Sequence, residues 1–187
     1  MGQTVDVPSG SAAKRVRMTI FRRQDAVDLD RDMMPFEGLD SEVDQEGVAK
    51  MMAAGAEHSA AERTLVLFKE PRPEGPSLTY AWFKSGYVLP RHSHNADCLY
   101  YILAGSLRMG SVVLGKGDGV FIPADDAYTY EVGEEGLELI EFRNASHFNL
   151  VFKGNDAAHW DKMATTYRDR AAIWQAETTP PSERELA

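Results

Sequence analysis

The sequence predicts an all-β sandwich or barrel with an N-terminal extension and a C-terminal α-helix. Three observations carry this. Short runs rich in leucine, valine, phenylalanine and tyrosine recur at close spacing between residues 64 and 152. Glycine and proline mark the breaks between them, at Gly105, Gly115, Gly117, Pro123 and the Gly133–Gly136 turn. After residue 153 the period changes, and Trp160, Met163, Tyr167, Ala171 and Trp174 recur at steps of three or four. Period two with frequent turns is the mark of a strand-built domain, and a step of 3.6 is that of a helix.

The elements follow in order. Residues 1–15 are rich in serine, glycine and alanine without an apolar period and read as a disordered arm. Residues 16–63 form an extension that packs on the barrel. From Asp28 to Ala61 acidic residues mix with methionine, and Val43, Val48, Met51 and Met52 line one side of a short helix that Gly47 weakens. This segment reads as a lid or a patch over the core. Residues 64–152 carry strands at Thr64–Lys69, Leu78–Lys84, Cys98–Ala104, Leu107–Met109, Val112–Leu114, Gly119–Ile122, Tyr128–Val132, Leu137–Phe142 and Phe148–Phe152. In residues 153–187, Asn155 or Asp156 caps the last helix, whose aromatic stripe packs on its own barrel or on a second subunit. Pro180 and Pro181 end it.

Composition bounds the function. The chain has 187 residues, 43% of them hydrophobic, enough for one domain with a real core. A net charge of −9 argues against a nucleic-acid-binding surface. Lys14, Arg15, Arg17, Arg22 and Arg23 form a small basic cluster that reads as a solvated arm. The single cysteine, Cys98, excludes an internal disulfide. With no membrane-length apolar run, no signal-peptide pattern and no myristoylation pattern after Gly2, a cytoplasmic protein away from membranes is expected.

The sharpest chemical feature is Gly86-Tyr-Val-Leu-Pro-Arg-His92-Ser-His94. On an extended chain, residues i and i+2 leave the same face, so His92 and His94 point together into one enclosure. By the same parity Cys98 and Tyr100 join them, Asp97 points away, and Tyr128 shares a face with Tyr130. Trp82 and Tyr80 share a face on the preceding strand and read as pocket wall. His147 reads as a solvent-facing strand end or a third imidazole, His58 and His159 as surface or helix-packing residues, and Arg91 and Arg108 as surface charges.

The spacing resembles the cupin superfamily. That family's first motif is a glycine, five residues, His-x-His, three or four residues, a glutamate, six residues and a glycine. Here Gly86, His92, His94 and Gly105 keep every interval, with Cys98 in the glutamate's slot. The second motif, glycine, five residues, Pro-x-Gly, two residues and histidine, matches Gly117 to Tyr128, with Asp125 for the glycine and Tyr128 for the histidine. The resemblance covers residues 64–152 and implies a double-stranded β-helix, the antiparallel jelly-roll barrel, often assembled as a homodimer.

The resemblance also implies a divalent metal held by three histidines and a glutamate, of which two histidines are present here. Three readings of the site follow. His92, His94 and Cys98 hold a transition metal, Zn, Fe, Cu or Ni, with Tyr128 beside it. Alternatively, a bulge turns Asp97 inward as the carboxylate of a triad suited to iron. In the third, the site is metal-free and binds a small organic molecule on Trp82, Tyr100 and Tyr130. The functional expectation is a metal-dependent enzyme on a small molecule (oxygenase, lyase or isomerase) with Tyr128 as proton donor. The alternative is a non-catalytic ligand-binding module, and a third role is an interface built on Trp160, Tyr167 and Trp174.

Overall fold

The computed structural model describes residues 18–39, 41–56 and 60–184. The expectations for the arm over 1–15 and for His58 lie outside them.

Among the described residues, ten strands form two sheets: β1 (Val27–Asp28), β2 (Phe36–Leu39), β3 (Glu62–Lys69), β4 (Ser77–Phe83), β5 (His92–Ser93), β6 (Cys98–Met109), β7 (Val112–Gly115), β8 (Gly119–Ile122), β9 (Glu131–Arg143) and β10 (Leu150–Phe152). The larger sheet runs β1-β3-β4-β9-β6-β7, with β8 also paired to β6, and the smaller runs β2-β10-β5. Every named pair is antiparallel except β10 with β2. The fold is a β-sandwich with helices attached, α1 (Glu42–Ala53), α2 (Ala157–Ala176) and the short α3 (Pro181–Arg184). The all-β class is therefore corrected: about a quarter of the chain is helical. Among the described residues, no helix is long and apolar enough to cross a membrane.

Two expected turns are also corrected. Gly105 and the Gly133–Gly136 segment lie inside continuous strands, β6 and β9. Gly105 has φ 73, the β6–β9 register slips between Gly105 and Leu107, and a Cβ there would overlap the Gly136 carbonyl. This glycine makes a bulge where two backbones meet rather than ending a strand.

Register decides which side chains enter the sandwich. Tyr100 opposes Glu141, Cys98 opposes Arg143, and Ile102 opposes Leu139 across β6 and β9. On the other edge of β9, Thr79 opposes Glu141 and Phe83 opposes Leu137. These residues share the inner face, where Ile102, Leu107, Leu137 and Leu139 are buried. Each contributes about 1.5–3 kcal/mol through burial. The residues between them, Tyr80, Trp82 and Glu138, lie on the opposite face of the sheet, where Tyr80 and Glu138 are themselves buried and Ser182 N–H donates to Glu138.

The helices close the sandwich. Asp156 caps α2 by accepting from His159 N at 2.7 Å, while Asn155 turns to Asp44 and Arg91 instead. Trp160, Met163, Tyr167 and Trp174 are buried within the chain, so the interface expected on this stripe is corrected: the aromatics serve the core. Large apolar residues stand exposed elsewhere, on the outer sheet face at Leu99, Tyr101, Phe121 and Phe142.

Helix α1 starts at Ser41, which accepts from Asp44 N. Its buried face is Asp44, Gly47 and Met51, whereas Val43 and Met52 are exposed. Gly47 lies against Trp160, and a Cβ there would overlap the indole ring. Alanine is the better helix former by about 1 kcal/mol, yet Gly47→Ala is expected to lower stability by about 1–3 kcal/mol through overpacking. Urea unfolding of the two proteins checks the sign.

The extension also reaches the sandwich mouth. Met33 is buried against Phe148 and Ala96, and its carbonyl accepts from Phe148 N at 3.0 Å.

Candidate functional site

His92 and His94 are brought together as the spacing predicts, with ring centroids 4.8 Å apart and both rings buried. Strand β5 carries His92 and pairs with β10; an isolated bridge joins His92 to Tyr128. Asp125, in the slot of the motif glycine, has φ 65 and donates its backbone N–H to the His94 carbonyl. Asp is among the few side chains that tolerate this left-handed conformation.

The hydrogen bonds assign the tautomers. His92 Nδ1 lies 2.7 Å from the Pro90 carbonyl, which can only accept, so Nδ1 carries the proton. His92 Nε2 then accepts from Tyr128 Oη at 3.1 Å, and Tyr128 in turn accepts from Tyr100 Oη at 2.6 Å. A directed chain results, from Tyr100 through Tyr128 and His92 to Pro90. His94 likewise donates from Nδ1 to the Asn149 carbonyl at 2.5 Å, leaving Nε2 without a proton. Burial, the largest cause, keeps both rings neutral. His92 is lowered to about 4, and His94 to about 2 with Arg143 adding to the effect.

Two charged residues that sequence reasoning missed complete the interior. Arg143 is 2% exposed, and its Nη2 donates to Glu141 Oε2 at 3.1 Å. Its Nε and Nη1 are buried and have no hydrogen-bond partner among the described residues, as is true of Tyr130 Oη. The guanidinium lies 4.2 Å from the centroid of Phe148, whose ring stands edge-on to His94. Glu141 also accepts from Thr79 Oγ1 at 3.3 Å. The apolar run of this strand stops at Phe142, one residue short of its observed end at Arg143. Carrying the alternation of Leu137 and Leu139 two steps further would have pointed Glu141 and Arg143 inward.

A second acid, Glu62, opposes Phe83 in register. Its side chain keeps accessible surface, yet burial by surrounding protein, followed by Glu141, holds its carboxyl above the usual range, against a lowering hydrogen bond with Tyr87.

Other expected residues fall as follows. Tyr100 and Tyr130 line the interior, 6.5 Å apart edge to face. Trp82 does not; its place in the pocket is corrected, because strand alternation sets it on the outer face under the Lys84 ammonium. Asp97 accepts from Ala124 N and Asn144 Nδ2, so the inward carboxylate is corrected too. His147 is exposed, and His159 is partly buried, with Nε2 3.4 Å from the Leu89 carbonyl.

This donor set does not fit the metal that the resemblance implies. Among the described residues, no three His, Cys, Asp or Glu side chains converge as a ligand group. Tyr128 already holds His92 Nε2. Burial pushes the Cys98 thiol well above its ordinary value despite the lowering influence of Arg143, so the thiolate a metal requires is disfavoured. A fixed guanidinium opposite Cys98 would repel a divalent cation.

The fold has known counterparts. An RmlC-like cupin protein from Ralstonia eutropha is similar over 89% of this chain and 92% of its own, at 18% identity and a TM-score of 0.51. Partial likenesses are found to KdgF from Halomonas sp. (16% identity, 46% of this chain and 82% of that one, TM-score 0.41) and to oxalate decarboxylase from Bacillus subtilis (20%, 46% and 25%, TM-score 0.40). No family model matches the chain, and no curated protein does. The shared fold is that of the cupins.

Proposed function

We propose that this cupin-fold chain binds a small organic molecule inside its sandwich without a metal ion. The observation that carries the reading is the buried Arg143 beside His92, His94 and Cys98. A permanent cation from the chain itself stands among the residues that the resemblance makes metal ligands. The unpartnered Tyr130 hydroxyl adds a second polar group turned inward, and the aromatic rings supply the apolar wall common to small-molecule sites.

The experiment is metal analysis of protein purified without a polyhistidine tag and equilibrated with Zn, Fe, Ni or Cu. Less than about a tenth of an equivalent is expected to remain, as for a site short of ligands. A full equivalent that the His92→Ala variant fails to hold would overturn the reading.

The Tyr100–Tyr128–His92 chain favours a second reading, proton transfer on the bound molecule of the isomerase or lyase kind. Tyr128 Oη would take a proton from the bound molecule as its own phenolic proton passes to His92 Nε2, and the reverse shift would return a proton to the molecule. Tyr128→Phe is then expected to lower turnover by about a hundredfold or more while ligand binding stays within a few fold. Equal loss of both would leave only the binding role.

A further inference from the structure

Resting on that reading, we propose that the molecule held in the interior is a small monocarboxylate, bound through the free donors of Arg143. Among the described residues, only Nη2 of the guanidinium's three nitrogens has a partner, Glu141. A buried charged group with unmet donors is costly, and native proteins almost always supply the missing acceptor. Among the described residues no side chain supplies it. A carboxylate matches the planar fork of a guanidinium, with two parallel N–H···O bonds.

Charge narrows the class further. Glu141 already shares the guanidinium, so a dianion such as phosphate meets repulsion that a single carboxylate largely escapes. Size narrows it again. The free nitrogens are closed off from solvent, and Phe148, itself packed with Ala96 and Met33, lies against the guanidinium. The occupant therefore carries few heavy atoms beyond its carboxylate, and those are apolar.

The test titrates the full-length protein with acetate and propionate against acetamide and propionamide, at constant ionic strength, by calorimetry and thermal unfolding. The carboxylates are expected to bind one per chain, at least about tenfold tighter than the matched amides. Arg143→Met is expected to abolish this preference. Glu141→Gln, which removes the competing carboxylate, is expected to tighten acetate binding several-fold, and keeps the test informative if Arg143→Met fails to fold. Equal binding of acid and amide would overturn the carboxylate assignment while leaving a metal-free small-molecule site. Chloride binding as well as acetate, or an interior that takes up neither acid nor amide, would overturn it too. Binding that appears only with an equivalent of added metal would overturn both this inference and the reading it rests on.

Discussion

Glu141→Ala is expected to destabilise the protein by about 3–5 kcal/mol, because it leaves Arg143 as a buried charge without its counter-ion. The pair is shielded, with side chains only 3% and 9% exposed, so solvent cannot replace the lost partner. Thr79 also loses the carboxylate to which it donates. The double change Glu141→Leu with Arg143→Met should behave oppositely. Removing both charges also removes their desolvation cost, and such replacements are often neutral or stabilising by about 1–4 kcal/mol. Urea unfolding of the single and double variants measures both. A single-variant loss below about 1 kcal/mol would mean that water reaches the pair. A stable double variant that no longer binds ligand would show that the ion pair serves binding rather than folding.

Stability should fall as the pH is lowered below about 6.5, and His92 and His94 are the cause. Both imidazoles are depressed in the folded protein, to about 4 and about 2, against about 6.5 in an unfolded chain. Between those values the unfolded state binds protons that the folded state refuses, so acid favours unfolding. The contribution is complete above the unfolded value. It is lost on the way down, His92's share ending near pH 4 and His94's continuing toward 2. Each ring costs at most about 1.4 kcal/mol per pH unit within its window. Glu62 works the other way: its raised carboxyl favours the folded state in acid and loses that advantage as the pH rises through the folded value. Going from pH 7 to pH 5 should therefore cost about 2–4 kcal/mol, and replacing both histidines by glutamine should flatten the slope. An unchanged slope would show that the rings are hydrated.

Much of the fold was legible because strand alternation and glycine placement are local. The strand β8 and the stripe of α2 are where the residue pattern puts them. The errors share one cause. Gly105, Gly133 and Gly136 read as turns, yet they lie in strands whose bulges depend on the partner strand. Gly47 reads as a weakness of α1 and is the seat of Trp160 from another helix. Trp82 does share a face with Tyr80, but the opposite one from the site, since a strand's pattern does not reveal which face is inward.

The sequence by itself determined the pairing of His92 with His94, the place of Cys98 and Tyr100 beside them, and the cupin spacing that links them to Tyr128. Each rests on intervals along the chain, which sterics and strand period translate into position. Only the tertiary structure decided what this cluster faces. Arg143 lies 45 residues from Cys98 in the chain and directly opposite it in the sheet. A cross-strand register is set by the packing of the whole sandwich, and with it the sign of the charge at the site's centre.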